Sequence, residues 1–170
     1  MITGKVTSVY GPDINTDDII PAMYLQQSTD RAFFAEYAFV KFDEEFRERC
    51  RRADANIIVA GENFGCGSSR EQAVYALSFN NVVCVIAPSF PDIFHRNCLT
   101  NGLTLIALDD VSAFSLGDEL AVDLAKGVIE NRTRGERIPF EMNDHVREIF
   151  MQGGMVGRVR SHLEEILTAR

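Results

Sequence analysis

The chain has 170 residues, of which 46% are apolar and 25% are charged, a composition that suits a globular protein with one large core. Acidic residues outnumber basic ones by 25 to 17, and the net charge of −8 argues against nucleic-acid binding, which requires a clustered basic face. No stretch approaches the roughly twenty apolar residues that cross a bilayer, and no apolar signal segment follows the first residues. We therefore expect a cytoplasmic protein that binds neither nucleic acid nor a membrane.

Metal-ligand patterns are missing from the sequence. The four cysteines include no C-x-x-C pair, and the three histidines show neither metal-ligand spacing nor an H-E-x-x-H motif. This chain alone is therefore predicted to hold no metal ion and no iron–sulfur cluster. Cys84 lies in an apolar run and is interpreted as core, and Cys66 as a small residue that fills a tight loop.

The first expected element is a strand, because apolar and polar residues alternate from Ile2 to Val9 before the turn residues Gly11 to Asp13. Asp17 and Asp18 come next, ahead of an apolar pair. From the residues alone, either carboxylate could cap a short helix or belong to a functional site. The stretch of about residues 23–32 shows no clear period, which favours a mobile loop.

Residues 33–50 are rich in aromatic and charged side chains, and this mixture predicts an amphipathic helical excursion whose aromatic rings pack on the core. A basic cluster near its end is interpreted as a solvated face. The cluster consists of Arg47, Arg49, Arg51 and Arg52.

The most informative stretch is a glycine-rich loop between a strand and a helix. Ile57 to Ala60 is short, apolar and β-branched, which predicts a buried strand, and Gln72 to Phe79 carries apolar residues at helical spacing. Three glycines between them, at positions 61, 65 and 67, predict positive φ angles and a close backbone approach to a ligand. Ser68 and Glu71 match a capping box, which would start the helix at the two serines.

A helix start with an adjacent arginine favours an anion. The helix terminus offers backbone N–H groups, and Arg70 can grip a carboxylate through two parallel hydrogen bonds. A Walker A lysine is missing, Arg70 stands where a dinucleotide fingerprint needs glycine, and no Gly-x-Ser-x-Gly elbow is present. The residues therefore indicate a carboxylate or phosphate site, although a loop of this kind can also serve only to make the turn.

Downstream of this helix, strands and helices alternate. Val82 to Ala87 predicts a strand, Pro91 to Asn97 a helix, and Leu103 to Leu108 another strand, a pattern typical of an α/β fold. Leu120–Leu124 and Gly127–Asn131 then predict a hairpin.

The last part of the chain predicts an edge strand over Gly135–Phe140 and two helices. The first begins with Asp144 as its cap and ends at Gly153 and Gly154. The second runs from Met155 to Thr168, and its apolar stripe is predicted to be core. The stripe consists of Val156, Val159, Leu163 and Ile166.

The segment from Gly65 to Glu71 resembles the signature of the swivelling domain of the aconitase superfamily. The whole chain, through Gly153 and Gly154, resembles the small subunits of 3-isopropylmalate dehydratase and homoaconitase. The resemblance implies a single three-layer β/β/α swivel domain over residues 1–170. It also implies a hydro-lyase that isomerises a 2-hydroxy dicarboxylic acid by dehydration and rehydration, foremost 3-isopropylmalate in leucine biosynthesis.

The same resemblance implies a large partner subunit that carries a [4Fe-4S] cluster as the Lewis acid. Ser68 then matches the catalytic base, Arg70 the cation beside it, and Asp17 the residue that orients both. Ser69 and Gly67 match positions that hold a substrate carboxylate. Without its partner, the chain is expected to be able to self-associate.

In such proteins the loop after Pro21 discriminates between substrates, which implicates Tyr24, Leu25 and Gln26. Some relatives have an arginine at the position of Gln26 that meets a distal carboxylate. A neutral amide is a poorer partner for that group, so an apolar or small substrate side chain is favoured. Homoaconitate, citramalate-type and dimethylmalate-type acids stay open as substrates, as does a non-catalytic dicarboxylate-binding or assembly subunit.

Overall fold

The computed structural model describes residues 1–168, apart from the side chain of Glu165, as a mixed α/β fold built on a seven-stranded sheet. The sheet order is β4-β3-β2-β1-β5-β6-β7. Neighbouring strands from β4 to β1 are parallel, and those from β1 to β7 are antiparallel. The strands are β1 (Ile2–Val9), β2 (Asn56–Val59), β3 (Val82–Ala87), β4 (Thr104–Ala107), β5 (Glu119–Asp123), β6 (Val128–Asn131) and β7 (Glu136–Pro139).

The helices lie in the connections between strands and at the end of the chain. Two 3₁₀ segments, Ala22–Tyr24 and Arg31–Tyr37, follow the first helix. The α-helices are α1 (Thr16–Ile19), α2 (Phe46–Arg51), α3 (Glu71–Ser78), α4 (Asp92–Asn101), α5 (Asp144–Met151) and α6 (Gly154–Thr168).

The parallel half of the sheet confirms the strands expected from apolar runs. All four residues of β2 are buried, as a strand covered on both faces requires. The helices α3 and α4 connect β2 to β3 and β3 to β4, which is the predicted strand–helix alternation. The predicted hairpin is β5 with β6, and the predicted edge strand is β7, so the antiparallel half is confirmed as well.

The aromatic segment packs as expected, but it is not one helix. Phe34, Phe39 and Phe46 are buried, whereas the backbone forms a 3₁₀ turn, a loop and the short α2. The interpretation of the basic cluster as a solvated face is wrong for Arg49. Its guanidinium is paired with Asp43 and its Nε donates to the Thr7 carbonyl at 2.8 Å, so it ties α2 to β1.

Two predictions for the last helices are wrong. The cap of α5 is Asn143, one residue before Asp144, because its side chain accepts from the backbone N–H of His145 at 3.0 Å. The apolar stripe of α6 is not core, since Val159 and Leu163 are 56% and 53% exposed. A periodic stripe shows that a helix has an apolar face, but not that the same chain covers it.

Only the first turn of α6 is held closely by the fold. Gly102, which ends α4 with a φ of 81°, lies so near Gly154 that a Cβ on Gly154 would be 2.4 Å from the Gly102 nitrogen. Every described side chain from Arg158 to Thr168 is exposed. The helix therefore extends from a tight glycine contact into solvent. Among the described residues, no helix combines the length and apolar character that a bilayer crossing requires.

Candidate active site

The glycine-rich loop and the Asp17 segment meet because they follow adjacent parallel strands. The loop begins after β2 and the segment after β1, so both leave the same edge of the sheet. Gly65 donates to the Ile14 carbonyl at 2.8 Å, and Thr16 donates to the Cys66 carbonyl at 2.8 Å. The Thr16 hydroxyl then donates to the Ser68 carbonyl at 2.9 Å. These bonds fix the serine segment against the start of α1.

Two of the three loop glycines need their small size and their positive φ. Gly65 has a φ of 85°, and a Cβ there would lie 2.3 Å from the ring of Phe94 on α4. Gly67 has a φ of 90°, and its Cβ would lie 2.5 Å from Oδ1 of Asn15. Gly61 has no positive φ, so that prediction was wrong for it.

The predicted capping box of Ser68 and Glu71 does not form. Helix α3 begins at Glu71, Arg70 is its N-cap, and no side chain accepts a capping hydrogen bond. Glu71 instead accepts from Nδ2 of Asn101 at 3.0 Å. Because Thr16 holds Ser68 in the bridging segment, the helix starts three residues later, and the hydroxyl of Ser68 lies exposed at the site.

Neither Asp17 nor Asp18 is the N-cap of α1, because that position is occupied by Asn15. Its Oδ1 accepts from the backbone N–H of Asp17 at 2.9 Å, and its own N–H donates to Oδ2 of Asp18 at 2.9 Å. This capping box starts α1 and gives Asp18 a structural role. The carboxylate of Asp17 is thereby left to the site.

Arg70 and Asp17 form the charged centre of the site. Nη1 and Nη2 of Arg70 donate to the two carboxylate oxygens of Asp17 at 2.5 and 2.9 Å, and Nη1 also donates to the Ile20 carbonyl at 3.1 Å. The Arg70 side chain is 10% exposed and that of Asp17 is 54% exposed. The hydrogen bond from Arg70 lowers the pKa of Asp17, and the backbone N–H of Ala22 contributes in the same direction.

The guanidinium keeps a second binding edge. Among the described residues, three of the five N–H groups of Arg70 are engaged, two with Asp17 and one with Ile20. By the covalent geometry of the planar group, the Nε–H and the other Nη2–H share the neighbouring edge and point in parallel. That edge has the geometry for a second carboxylate.

The hollow beside Ser68 is small. It measures about 40 Å³, whereas ligand pockets usually measure about 300–1,000 Å³. The walls of this chain therefore make one side of a site and do not enclose a ligand. The hollow is lined by Thr16, Gly65, Gly67, Ser68, Ser69, Arg70, Pro91, Ile93, Phe94 and Asn97.

The three loop residues expected to contact substrate, Tyr24, Leu25 and Gln26, are not among those that line this hollow. Asp17 accepts from Ala22 at 2.9 Å, which ties the start of the loop to the carboxylate. Tyr24 stacks on Tyr37 with ring centroids 4.0 Å apart, Leu25 is half-buried, and Gln26 is exposed. The mobility of this loop stays a prediction.

Sequence reasoning missed three residues that shape the site. Thr16 holds Ser68, Asn15 sits under Gly67, and Phe94 sits under Gly65. The Asn15 cap could have been found, because asparagine followed three residues later by an acid is a helix-start signal. No local pattern reveals the ring of Phe94, which comes from a helix further along the chain.

The cysteines do not form a metal-binding set. Cys50, Cys84 and Cys98 are buried in the core, while Cys66 is half-buried and its Sγ lies 3.4 Å from the Asp13 carbonyl. Burial raises the pKa of the Cys66 thiol, and the Asp13 carboxylate adds to the effect. Within residues 1–168, no three histidine, cysteine or acidic side chains are grouped as metal ligands would be.

Comparison with known proteins places this geometry in a family. Residues 6–110, which include the second half of β1, all of β2 to β4 and the site, match the model of the aconitase C-terminal domain. The 3-isopropylmalate dehydratase small subunit of Methanosarcina mazei is 42% identical over 157 residues, covering 92% of this chain and 95% of that protein. The chain belongs to the family of 3-isopropylmalate dehydratase small subunits. The resemblance carried by Gly65 to Glu71 is therefore confirmed.

Other members of the small-subunit family match over almost their whole length. The Aliarcobacter butzleri small subunit is 38% identical over 167 residues, covering 98% of both chains. The crystal structure of 3-isopropylmalate dehydratase from Methanocaldococcus jannaschii superposes with a TM-score of 0.85 at 36% identity, covering 99% of both chains. The predicted α/β swivel fold is thus confirmed for this family member.

Proposed function

We propose that this chain is the small subunit of a 3-isopropylmalate dehydratase, a hydro-lyase that isomerises a 2-hydroxy dicarboxylic acid. The observation that carries the proposal is the unused edge of Arg70 beside the exposed hydroxyl of Ser68. Relatives named as small subunits of this enzyme match the chain over more than nine-tenths of its length, which supports the same activity. In this proposal residues 1–170 form one swivel domain with a mobile substrate loop at about 23–32.

Arg70 binds one substrate carboxylate through its Nε and Nη2 edge. Asp17 occupies the other edge, holds the guanidinium plane and keeps Arg70 from rotating. Ser69 and the backbone at Gly67 lie in the same exposed segment and donate to the same carboxylate. These contacts set the substrate carbon next to that carboxylate within reach of Ser68.

Ser68 is the base that removes the proton from that carbon. Charge then develops on the carboxylate oxygens, where Arg70 already donates, so the transition state is stabilised more than the ground state. A serine hydroxyl ionises far above neutral pH, so the base requires nearby positive charge. Arg70 and the amino end of α3, which begins one residue later, supply it.

The other half of the site belongs to a large subunit. The buried cysteines of this chain and its lack of grouped ligands within residues 1–168 do not fit an iron–sulfur cluster. In the proposal, a [4Fe-4S] cluster on the large subunit supplies the Lewis acid that takes the substrate hydroxyl. The small hollow beside Ser68 agrees with a site that two chains complete.

Gln26 favours 3-isopropylmalate over acids with a third carboxylate. Its exposed amide cannot neutralise a distal carboxylate, so an apolar substrate branch is the better match for the loop. Homoaconitate, citramalate-type and dimethylmalate-type acids are the competing substrates in the test below.

The test is turnover of this chain reconstituted anaerobically with its large subunit. The unaltered pair should turn over 3-isopropylmalate faster than the competing acids. Ser68→Ala should lower kcat by about 100- to 10,000-fold, as removal of a general base does, without preventing assembly of the two chains. Ser69→Ala should mainly raise KM, and the exposed Ser112→Ala should change neither constant.

Unchanged turnover in Ser68→Ala would show that Ser68 is not the base. Absence of turnover on every acid of the panel, with an assembled and cluster-loaded pair, would contradict the enzymatic proposal. It would then favour a binding or assembly subunit without catalysis.

A further inference from the structure

Asn97 on α4 has a side-chain amide that the fold itself does not use. The residue is partly buried and lines the hollow beside Ser68, together with Ser69 and Arg70. Its backbone carbonyl accepts from Nδ2 of Asn101 at 2.9 Å, but within residues 1–168 its side chain makes no hydrogen bond. An amide that is open to the hollow can donate to a group that enters it.

The packing of α4 shows that Asn97 faces the segment that carries the two serines. Residues three and four apart share one face of a helix, so Phe94, Asn97 and Asn101 lie in one row. The Phe94 ring is the first group that a Cβ on Gly65 would meet. Nδ2 of Asn101 donates to Glu71 at 3.0 Å. The ends of the row therefore contact the ends of the serine segment, and Asn97 lies between them.

The hollow has the size of a carboxylate group rather than of a whole acid. It measures about 40 Å³, and a single water molecule requires at least about 10–15 Å³ of such space. The hollow therefore holds roughly three heavy atoms, which is the number in a carboxylate. The rest of a dicarboxylic acid would extend out of it, towards the open side of the site.

The charge of the hollow favours an anion. Of the ten described residues that line it, Arg70 is a cation and none is an acid. Asp17, which pairs with the other edge of Arg70, is not among the lining residues. Ser69 and Asn97 add neutral donors to this cation. A cation with neutral donors beside it is the set that binds a carboxylate.

We propose that Asn97 is a further substrate-binding residue, whose Nδ2 donates to the substrate carboxylate that Arg70 holds. This inference rests on the proposed function, because it takes the ligand to be a carboxylate of the isomerised acid. Asn97 then holds that carboxylate from α4, while Arg70 and Ser69 hold it from the loop. The carboxylate cannot turn on the Arg70 edge, so the adjacent carbon stays within reach of Ser68.

The first test replaces Asn97 by alanine in the anaerobically reconstituted pair. Removing a hydrogen bond to a charged group should lower kcat/KM roughly 10- to 150-fold. The matched control is Thr100→Ala on the same helix, whose exposed hydroxyl donates to the Arg96 carbonyl at 2.9 Å. This control should keep the kcat/KM of the unaltered pair. Circular dichroism checks that both variants retain their helix content.

The second test separates donation by the amide from simple filling of space. Aspartate has almost the shape of asparagine, but it accepts where Nδ2 donates, and it carries a negative charge. Asn97→Asp should therefore have a lower kcat/KM than Asn97→Ala, because it repels the substrate carboxylate. A residue that only fills space would give the opposite order.

The third test measures binding without turnover. The probe is 2-isopropylsuccinate, which keeps both carboxylates and the apolar branch but lacks the hydroxyl that is eliminated. Titration calorimetry of the assembled pair should find a dissociation constant roughly tenfold higher in Asn97→Ala than in the unaltered pair.

Unchanged kcat/KM in Asn97→Ala would overturn the proposal, and so would an Asn97→Asp pair that is more active than Asn97→Ala. A loss that disappears at saturating large subunit would also overturn it, because Asn97 would then contact the partner chain. An unaltered, cluster-loaded pair without turnover contradicts the proposed function and this inference with it. Normal turnover that is insensitive to Asn97 contradicts this inference alone.

Discussion

Asp17 joins two parts of the site through one carboxylate. It pairs with both Nη atoms of Arg70, and its Oδ1 also accepts from the backbone N–H of Ala22, where the substrate loop begins. In the proposed mechanism, a shift of the guanidinium on substrate binding would reach the start of the loop through this carboxylate. In the proposed mechanism Asp17 is a positioning residue, because its contacts are with Arg70 and with Ala22 at the start of the loop.

The pKa of Asp17 should report this pairing. Arg70 lowers it below the ordinary value of about 3.9, so the pair stabilises the fold above that value and the contribution is lost as the pH falls through the lowered pKa. Carboxyl ¹³C NMR titration should find a low midpoint for Asp17 and a midpoint near the ordinary value in Arg70→Gln. Equal midpoints in the two proteins would contradict the pairing.

Arg70→Lys should impair the reconstituted enzyme even though the charge is kept. A lysine ammonium cannot hold Asp17 and a substrate carboxylate on two edges of one plane. Losing one such charged hydrogen bond costs about 1.5–3 kcal/mol, which corresponds to roughly a 10- to 150-fold lower kcat/KM. Steady-state kinetics would measure this fall in kcat/KM. The control is Arg132→Lys at an exposed arginine, which should have the kcat/KM of the unaltered chain.

At the residue scale, the sequence predicted which residues meet but not how they are held. Ser68, Arg70 and Asp17 lie together as the family resemblance implied. The capping box at Ser68 was wrong because a competing tertiary hydrogen bond from Thr16 holds the serine away from the helix. A local motif cannot reveal a partner that is 52 residues away.

At the element scale, the loop shape depends on the ring of Phe94 in α4. Gly65 is positioned over that ring with a positive φ, so both the backbone conformation and the space exclude a side chain. The start of α4 therefore packs against the loop that carries Ser68 and fixes its backbone conformation.

Gly65→Ala should destabilise the chain more than Gly135→Ala. Both glycines have positive φ, but a Cβ at Gly135 meets nothing within 4 Å, whereas at Gly65 it would overlap the Phe94 ring. The difference isolates the overlap, which should add about 1–3 kcal/mol to the loss in unfolding free energy. Urea denaturation measures both variants, and equal losses would show that the ring yields without cost.

Strands and helices were predictable where apolar runs or glycine boundaries are strong. The buried runs became β2, β3 and β4, and the hairpin formed around Ala125 and Lys126, as the two flanking segments predicted. The stripe of α6 was correctly predicted to be the apolar face of a helix. It was wrongly predicted to be core. Periodicity is a property of one element, whereas burial depends on what lies opposite it.

At the scale of the whole molecule, the candidate site is a small hollow on an acidic protein. The hollow beside Ser68 measures about 40 Å³, and the net charge of −8 repels a dianionic acid at long range. In the proposed function, the large subunit therefore provides both the remaining walls of the site and much of the attraction for substrate.

The isolated chain should accordingly bind little dicarboxylate. Titration calorimetry with 3-isopropylmalate should show no saturable heat up to on the order of 1 mM, and should show binding after the large subunit is added. Tight binding to the isolated chain would instead indicate a complete dicarboxylate site on this subunit alone.

The ion pair between Arg70 and Asp17 joins residues 53 positions apart. Phe94, whose ring supports the loop at Gly65, lies still later in the chain. During synthesis, a chain that has emerged only through Arg70 has every proposed catalytic side chain but lacks the ring that supports Gly65. Closing such long loops is slow compared with forming one helix turn. The site therefore reaches its native shape only after α4 has left the ribosome and packed onto the sheet.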